Sequence, residues 1–303
     1  MLLRVIHQTA YLYGDPVPLG HNQLRLTPRS FERQQTVSSV IEIKPKPQTR
    51  RSWTDAYGNE VTYFTLEEPH HQLSITLNAI IDVTAGHEKP DDYALTWEQA
   101  AERLRVAPTD ADLAATEFTF DSPFARRSED VAAYAAPSFA PNRSLFDAVW
   151  DLTRRIYREF KYEAGSTTVS TPTSQTLKNR RGVCQDFAHL QIAALRSFGL
   201  AARYVSGYLV TKPPPGKVKL TGADASHAWL SVYFPDVGWL DFDPTNDRLA
   251  GLDHLTLAWG RDYGDVAPIT GLFLGGGSGS LRVSVDVAPA EASHVDSIDV
   301  PLR

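Results

Sequence analysis

The sequence predicts an α+β fold with an antiparallel, strand-rich first part and a mixed helix and strand second part. In the first 85 of the 303 residues, apolar and polar residues alternate in short runs separated by turn residues, which is typical of a β-sandwich. From Ser144 onward, apolar residues first follow helical spacing and then return to strand-like runs. We therefore expect a β-sandwich at 1–85, a mixed connecting region at 86–141, and a core with a C-terminal strand at 142–303.

The N-terminal strands are predicted from alternation and from the residues that interrupt it. Lys44-Pro-Lys-Pro47 cannot continue a central strand, because proline lacks the backbone donor that the ladder needs. The segment Asp55-Ala-Tyr-Gly-Asn59 is predicted to be a tight turn in which the glycine supplies a positive φ. The predicted strands are Leu2–Tyr13, Thr36–Lys44, Arg51–Trp53, Val61–Leu66 and Leu73–Val83.

Helices are expected in the middle of the chain. Thr96 is a suitable N-cap for a helix that extends to Arg105, within a connecting region that we otherwise expect to pack irregularly. Ser144 is a second N-cap, and the apolar residues after it recur at helical spacing as far as Phe160. Two further helices are predicted at Thr173–Asn179 and Val183–Ser197, the second ending at Gly199.

The last third of the chain is predicted to be mainly strands and loops. Ala202–Val210, Ala225–Phe234 and Gly238–Asp243 have the composition of strands, and Lys212–Gly216 is a proline-rich loop. The glycine-rich run Leu272–Ser280 lacks the pattern of a phosphate-binding loop. It is predicted to be a flexible loop before a strand at Leu281–Val287.

Composition excludes several classes of protein. Hydrophobic residues make up 42% and charged residues 22%, so the chain is globular rather than disordered or fibrous. No apolar run is long enough for a transmembrane helix, and the N-terminus resembles a strand rather than a signal peptide, so we expect a cytoplasmic protein without membrane partners. The net charge of −6 disfavours a nucleic-acid-binding protein.

Three residue types in a specific order predict nucleophilic chemistry. The single cysteine, Cys184, stands at a predicted helix start, where backbone N–H groups and the helix dipole favour a thiolate. A buried structural cysteine is the alternative for this residue taken alone. His227 lies in an apolar strand, and the next strand carries Asp241 and Asp243, so that a carboxylate can lie beside the imidazole. Nucleophile, base and orienting acid are the three roles of a catalytic triad.

Four segments in order resemble the transglutaminase-like superfamily. They are R-G-V-C-Q-D-F-A-H-L from Arg181, G-L-A-A-R-Y-V-S-G-Y from Gly199, S-H-A-W from Ser226 and G-W-L-D-F-D-P-T-N from Gly238. They lie within residues 142–248 and are similar to the bacterial branch of proteins proposed as cysteine proteases. The W-T-D-A-Y-G-N segment from Trp53 also resembles the N-terminal region that accompanies this branch.

The resemblance implies a papain-like core in which the helix carrying the cysteine packs on an antiparallel sheet. It implies Cys184 as nucleophile, His227 as general base and Asp243 as the third residue. Asp241 remains an alternative, because residues two apart in a strand share a face. The preference for Asp243 follows from the family pattern, which places the acid directly before Pro-Thr.

The reaction implied is acyl transfer through a thioester on a peptide, protein or small amide substrate, without a cofactor. Hydrolysis is favoured over transfer to an amine acceptor, and a binding protein that retains the fold without chemistry is the third alternative. Gln175 is a possible second donor to the oxyanion. Asp186 is interpreted as a helix-capping carboxylate and His189 as a structural residue. No metal site is expected, since calcium-loop spacing is absent and the adjacent His70 and His71 face opposite sides of a strand.

Overall fold

The computed structural model describes residues 1–91, 93–210 and 226–290, and it has the predicted mixture of antiparallel sheets and helices. The loop predicted at Lys212–Gly216 lies outside the described residues. The first part of the chain forms six strands, β1 Leu2–Val17, β2 Leu19–Leu24, β3 Gln34–Lys44, β4 Thr49–Thr54, β5 Glu60–Leu66 and β6 His70–Val83. No helix in the described part of the chain has the length and apolarity needed to cross a bilayer.

The remaining elements alternate helices and strands. The helices are α1 Trp97–Val106, α2 Asp110–Thr116, α3 Glu129–Ala135, α4 Leu145–Glu159, α5 Thr173–Asn179, α6 Cys184–Ser197 and α7 Tyr263–Val266. The strands are β7 Lys161–Tyr162, β8 Arg181–Gly182, β9 Ala202–Leu209, β10 Ser226–Phe234, β11 Gly238–Asp243, β12 Arg248–Leu249, β13 His254–Gly260, β14 Ile269–Leu274 and β15 Gly279–Pro289. The predicted helices at 96–105, 144–160, 173–179 and 183–197 agree with α1, α4, α5 and α6.

Two four-stranded antiparallel sheets form the N-terminal sandwich. Their strand orders are β15-β1-β6-β3 and β14-β2-β5-β4. The side chains that alternate inward from both sheets, among them Val5, Leu24, Phe64 and Ile75, are fully buried in one apolar cluster. Burial of one face of each sheet explains the period-two pattern in the sequence.

The C-terminal strands belong to this sandwich, which differs from the predicted division. We predicted a flexible loop at Leu272–Ser280 and a C-terminal strand within the 142–303 core. Instead, β14 pairs with β2 and β15 pairs with β1, so both complete the edges of the N-terminal sheets. Only the turn between them, where Gly275, Gly276 and Gly277 have positive φ, has the loop character that the glycines suggested. Single-strand patterns do not specify which sheet a strand joins.

The connecting region also has more structure than predicted, since it contains α2 and α3 in addition to α1. These short helices begin at the side-chain caps Thr109 and Ser128, which accept from Asp112 N–H and Val131 N–H. Helix α3 packs against α6. The prolines and small residues between the helices had obscured their short apolar periods.

The core is one five-stranded antiparallel sheet covered by helices. Its strand order is β12-β11-β10-β9-β13, and α6 packs on β9 and β10. From Asp186 to Arg196 every residue of α6 is buried, which explains why this helix has little amphipathic signal. The N-terminus of α6 lies beside the beginning of β10, so Cys184 and His227 come from adjacent elements.

Candidate active site

Cys184 is the first residue of α6, and the segment before it is held in place by two contacts. The carboxylate of Asp186 accepts from Val183 N–H at 2.8 Å and from Thr167 Oγ1 at 2.6 Å. A Cβ on Gly182 would lie 2.8 Å from Asp186, so glycine is needed at this close approach. Asp186 therefore caps the helix and anchors the preceding loop, as the sequence predicted.

His227 is near the start of β10, between Cys184 and Asp243. Its Nε2 lies 2.8 Å from Asp243 Oδ2, and Cys184 is close enough to the ring to raise its pKa. Because Nε2 faces the aspartate, Nδ1 is the nitrogen left for the thiol. The structure thus brings together all three residues selected from the sequence, in the order Cys184, His227, Asp243.

The two aspartates of β11 have different partners. Asp243 is completely buried and meets the histidine. Asp241 accepts from Trp229 Nε1 at 2.9 Å and lies 3.5 Å from His87. Strand alternation does place both carboxylates on one face of the sheet, but Asp241 supports the tryptophan beside the site rather than His227.

The electrostatics of the pair favour an ionised carboxylate and a protonated ring. Burial alone would lower the pKa of His227, but its hydrogen bonds and charge interactions with Asp243 and Cys184 raise that pKa to about 10. Burial would raise the pKa of Asp243, whereas donation from His227 and His254 holds it well below its usual range. Each partner stabilises the charged form of the other.

Asp243 has three further donors that the sequence analysis missed. Thr245 N–H donates to Oδ1 at 2.9 Å, Asn246 Nδ2 donates to Oδ2 at 2.6 Å, and His254 Nε2 lies 3.1 Å from the same Oδ2. Thr245 and Asn246 belong to the segment that the family pattern includes. His254 lies in β13, two strands away from β10 in the sheet order, and nothing in its local sequence marks it.

Tyr162 is another residue that sequence reasoning did not select. It pairs with Gly182 in a two-stranded parallel sheet, which places it next to the residues that lead into Cys184. Its side chain is half-exposed, and partial burial together with the nearby Cys184 raises its pKa. Gln175, by contrast, is on the exposed side of α5, where it lines a surface cavity with Lys178 and Arg180.

His189 has the structural role that was predicted for it. It is buried in α6, stacks on Phe124 and accepts from Tyr263 N–H through Nε2 at 3.1 Å. Burial, together with the charge of Arg196, lowers the pKa of His189 to about 3, so the ring is neutral. A neutral acceptor is what the Tyr263 amide requires.

Among the described residues, one group could in principle hold a metal ion. It consists of His227, Asp243 and His254, whose nearest ligand atoms lie within 4.8 Å of one another. However, both imidazole Nε2 atoms and Asn246 Nδ2 surround a single carboxylate oxygen at 2.6–3.1 Å. In a metal site, the lone pairs of all the ligand atoms would point at the ion, which would lie about 2.0–2.2 Å from each of them. The observed set is arranged as donors around an acceptor.

Comparison with known proteins decides the family. The model of the bacterial transglutaminase-like N-terminal region matches residues 3–82, and that of the transglutaminase-like superfamily matches residues 132–244. An uncharacterized protein of Mycobacterium tuberculosis is 45% identical over 296 residues, covering 95% of this chain and 93% of its own length. The chain belongs to the transglutaminase-like superfamily. An uncharacterized Mycobacterium leprae protein is 34% identical, covering 94% of this chain and 98% of its own length.

The fold is also shared with a solved structure. A candidate cysteine protease from Cytophaga hutchinsonii superposes with a TM-score of 0.73 at 23% identity, covering 96% of this chain and 91% of that one. At this identity the likeness concerns the fold alone. It extends over both the N-terminal sandwich and the core and confirms the predicted fold class, whereas the family models and the 45% identical relative confirm the predicted family.

Proposed function

We propose that this protein catalyses acyl transfer at an amide carbonyl through a Cys184–His227–Asp243 triad, with hydrolysis as the overall reaction. The observation that carries the proposal is that Cys184, at the start of α6, lies near an imidazole whose Nε2 is 2.8 Å from a buried carboxylate. Membership of a superfamily of cysteine enzymes supports it. A merely structural cysteine would not need a buried charged pair beside it.

The proposed reaction has two halves. His227 holds the thiol proton, Cys184 Sγ attacks the amide carbonyl, and the carbonyl carbon becomes tetrahedral. His227 Nδ1 then gives its proton to the departing amine, and a thioester remains on Cys184. In the second half His227 takes a proton from water, the hydroxide displaces the thiolate, and the free acid leaves. Asp243 stays ionised throughout and stabilises the imidazolium.

The oxyanion of each tetrahedral intermediate is assigned to the N-terminal end of α6. The first N–H groups of a helix have no acceptor within the helix, and that of Cys184 is adjacent to the reacting sulfur. Tyr162, which lies alongside, provides a hydroxyl and an aromatic wall for the substrate. Gln175 has no part in this proposal.

Transfer to an amine is the second candidate. A protein-glutamine gamma-glutamyltransferase of Pseudomonas aeruginosa is 29% identical over 102 residues, although these cover only 31% of this chain and 15% of that protein. The first half-reaction would be identical, and an amine would replace water in the second. The two candidates differ only in which nucleophile reaches the thioester.

A product analysis tests both candidates together. The protein is incubated with a peptide and amide library in H₂¹⁸O, with and without dansylcadaverine, and the products are identified by mass spectrometry. Hydrolysis incorporates ¹⁸O into a new carboxylate, and amine transfer adds the dansyl amine with loss of the departing amine. Cys184→Ala and His227→Gln should abolish either product, whereas Asp241→Asn is the matched control that should retain it. Turnover that survives in Cys184→Ala would overturn the proposal.

A further inference from the structure

We propose that His254 is a positioning residue that holds Asp243 against His227, so that the site contains a second histidine in addition to the triad. This inference rests on the proposed function. Asp243 Oδ2 lies between the two imidazoles, 2.8 Å from His227 Nε2 and 3.1 Å from His254 Nε2. The side chain of His254 is 1% exposed, so this contact is not shared with solvent.

The origin of each donor explains why His254 matters. The other groups that bind Asp243, Thr245 N–H and Asn246 Nδ2, belong to the turn that directly follows it. They move with the carboxylate and cannot fix its direction relative to the sheet. His254 comes from β13, at the opposite side of the sheet from β11. It is therefore the donor that ties Asp243 to an independent element.

The ring of His254 is itself held on three sides. Gly251 N and Asp253 Oδ1 both lie 3.1 Å from Nδ1, while Nε2 faces Asp243 Oδ2, an ionised oxygen that can only accept and therefore requires the Nε2 proton. Trp229 packs edge-on against the ring at 5.2 Å and also contacts the His227 ring at 5.9 Å. One indole thus supports both imidazoles.

The charged groups around His254 form a short chain to the surface. Asp253 Oδ1 lies 3.1 Å from His254 Nδ1, and Asp253 Oδ2 pairs with Arg248 at 2.9 Å. The other titratable groups near the ring are Asp243 and His227, together with Arg33, His87 and Asp241, which line a small cavity that His254 and Trp229 also line. His254 therefore links the buried carboxylate of the site to an ion pair at the rim.

Alkylation of the thiol tests this role without a known substrate. Because the chain has one cysteine, the mass of the peptide that contains Cys184, after iodoacetamide treatment and digestion, reports alkylation of the thiol separately from amine adducts formed at high pH. Rates are measured from pH 6 to pH 10 for the wild type, His254→Phe, His254→Asn and His254→Gln. Gln can present an amide N–H where Nε2 stood, whereas Phe and the shorter Asn cannot. His7→Phe is the matched control, since His7 is also buried but bonds to Tyr208 at 2.7 Å and to Thr9 at 3.1 Å rather than to a triad residue.

The expected result is specific to a weakened ion pair. His254→Phe and His254→Asn should alkylate at least about tenfold more slowly at pH 6 but within about twofold of the wild type at pH 10, where the thiolate no longer depends on the imidazolium. His254→Gln should recover the rate at pH 6, and His7→Phe should leave the profile unchanged. Should His254→Phe fail to fold, the Asn and Gln pair still decides the question.

Two results would overturn the inference. One is a wild-type profile in both His254→Phe and His254→Asn, and the other is an equal loss in His254→Gln or His7→Phe. Failure of the proposed function has a different signature. In that case His227→Gln would itself alkylate like the wild type at pH 6, because no ion pair would exist for His254 to support.

Discussion

The first prediction concerns Asp243→Asn, which removes the carboxylate and nearly preserves its shape. Burial lowers the pKa of His227; the hydrogen bond that the ring donates to Asp243 is the strongest effect that raises this pKa, and the charge of Asp243 raises it further. The net rise is from 6.5 to about 10, and Asp243 and Cys184 are the two groups that produce it. We therefore expect the pKa of His227 to fall by about 2 units, equivalent to about 2.7 kcal/mol.

Two assays measure this fall. The titration of the His227 ring is followed by NMR of protein labelled with ¹³C-histidine, and alkylation of Cys184 is followed across the same pH range. In the variant, His227 should lose its proton at a lower pH than in the wild type. Between these two pH values the imidazolium no longer stabilises the thiolate, and alkylation should be slower than in the wild type. A carboxamide can still accept from Nε2–H, so part of the ring orientation is retained and the pKa rather than the fold should change.

Asp241→Asn is the matched control for this experiment. It has the same chemistry, lies two residues away on the same face of β11 and is also buried, but it contacts Trp229 and His87. We expect it to lower stability and to leave the titration of His227 within about half a unit of the wild type. An unchanged His227 in Asp243→Asn, or an equal shift in Asp241→Asn, would refute the assignment of the third triad residue.

Three further predictions follow from individual contacts. The pKa of His227 is raised from 6.5 to about 10, so its contribution to stability is complete below pH 6.5 and is lost as the pH rises through 10. The difference in urea unfolding free energy between wild type and His227→Gln should therefore shrink by about 3–5 kcal/mol over that pH range. A difference that grows with pH would contradict a raised pKa in the folded protein. Gly207→Ala should destabilise the core strongly, because its Cβ would lie 2.1 Å from Leu255 O and 2.5 Å from the Trp229 ring, whereas Gly20→Ala, with no neighbour closer than 3.5 Å, should change the melting temperature little. Arg196→Met should cost about 3–5 kcal/mol in urea unfolding, because the buried guanidinium bonds to the carbonyls of Phe118, Ala202 and Arg261 at 2.7–2.9 Å, and a loss under about 1 kcal/mol would show that these carbonyls find other partners.

Local sequence was sufficient to predict the strands and helices whose apolar periodicity comes from the burial of one face. The strands of the sandwich alternate because one face is buried, and α4 is periodic because one stripe packs against Phe234 and Phe242. The order of motifs was sufficient to select Cys184, His227 and Asp243 as candidates. These features depend on neighbours in the chain or on a pattern that the whole superfamily shares.

Contacts between distant segments could not be predicted in this way. Strands β14 and β15 have ordinary strand composition, and their assignment to the sandwich depends on pairing with residues more than 240 positions earlier. His254 was missed for the same reason, since its contact with Asp243 depends on the path of β13 across the sheet. Asp241 and Asp243 could be separated only by their partners, Trp229 and His227, because alternation treats them equally.

The N-terminal sandwich supplies none of the three proposed catalytic residues, but it fixes the strand that carries His254. Strand β13 is an edge of the core sheet, and such an edge leaves backbone groups unpaired. Two buried side-chain amides of the sandwich form hydrogen bonds with these backbone groups of β13. Gln34 bonds to both N–H and C=O of Thr256 at 2.8 Å, and Asn59 bonds to both backbone groups of Trp259 at 2.9–3.0 Å.

These amides act as short substitutes for a neighbouring strand, because each offers one donor and one acceptor in the pattern that a strand would present. Gln34 is 222 positions from Thr256 in the sequence, and Asn59 is 200 positions from Trp259. The guanidinium of Arg29 also stacks on the Trp259 ring, 3.6 Å from its centre. The sandwich therefore holds β13 in place, and this strand begins at His254, which contacts Asp243. On this reasoning the β-rich region, together with β14 and β15 that complete it, forms part of the framework that sets the geometry of the proposed triad, although every reacting group is in the core.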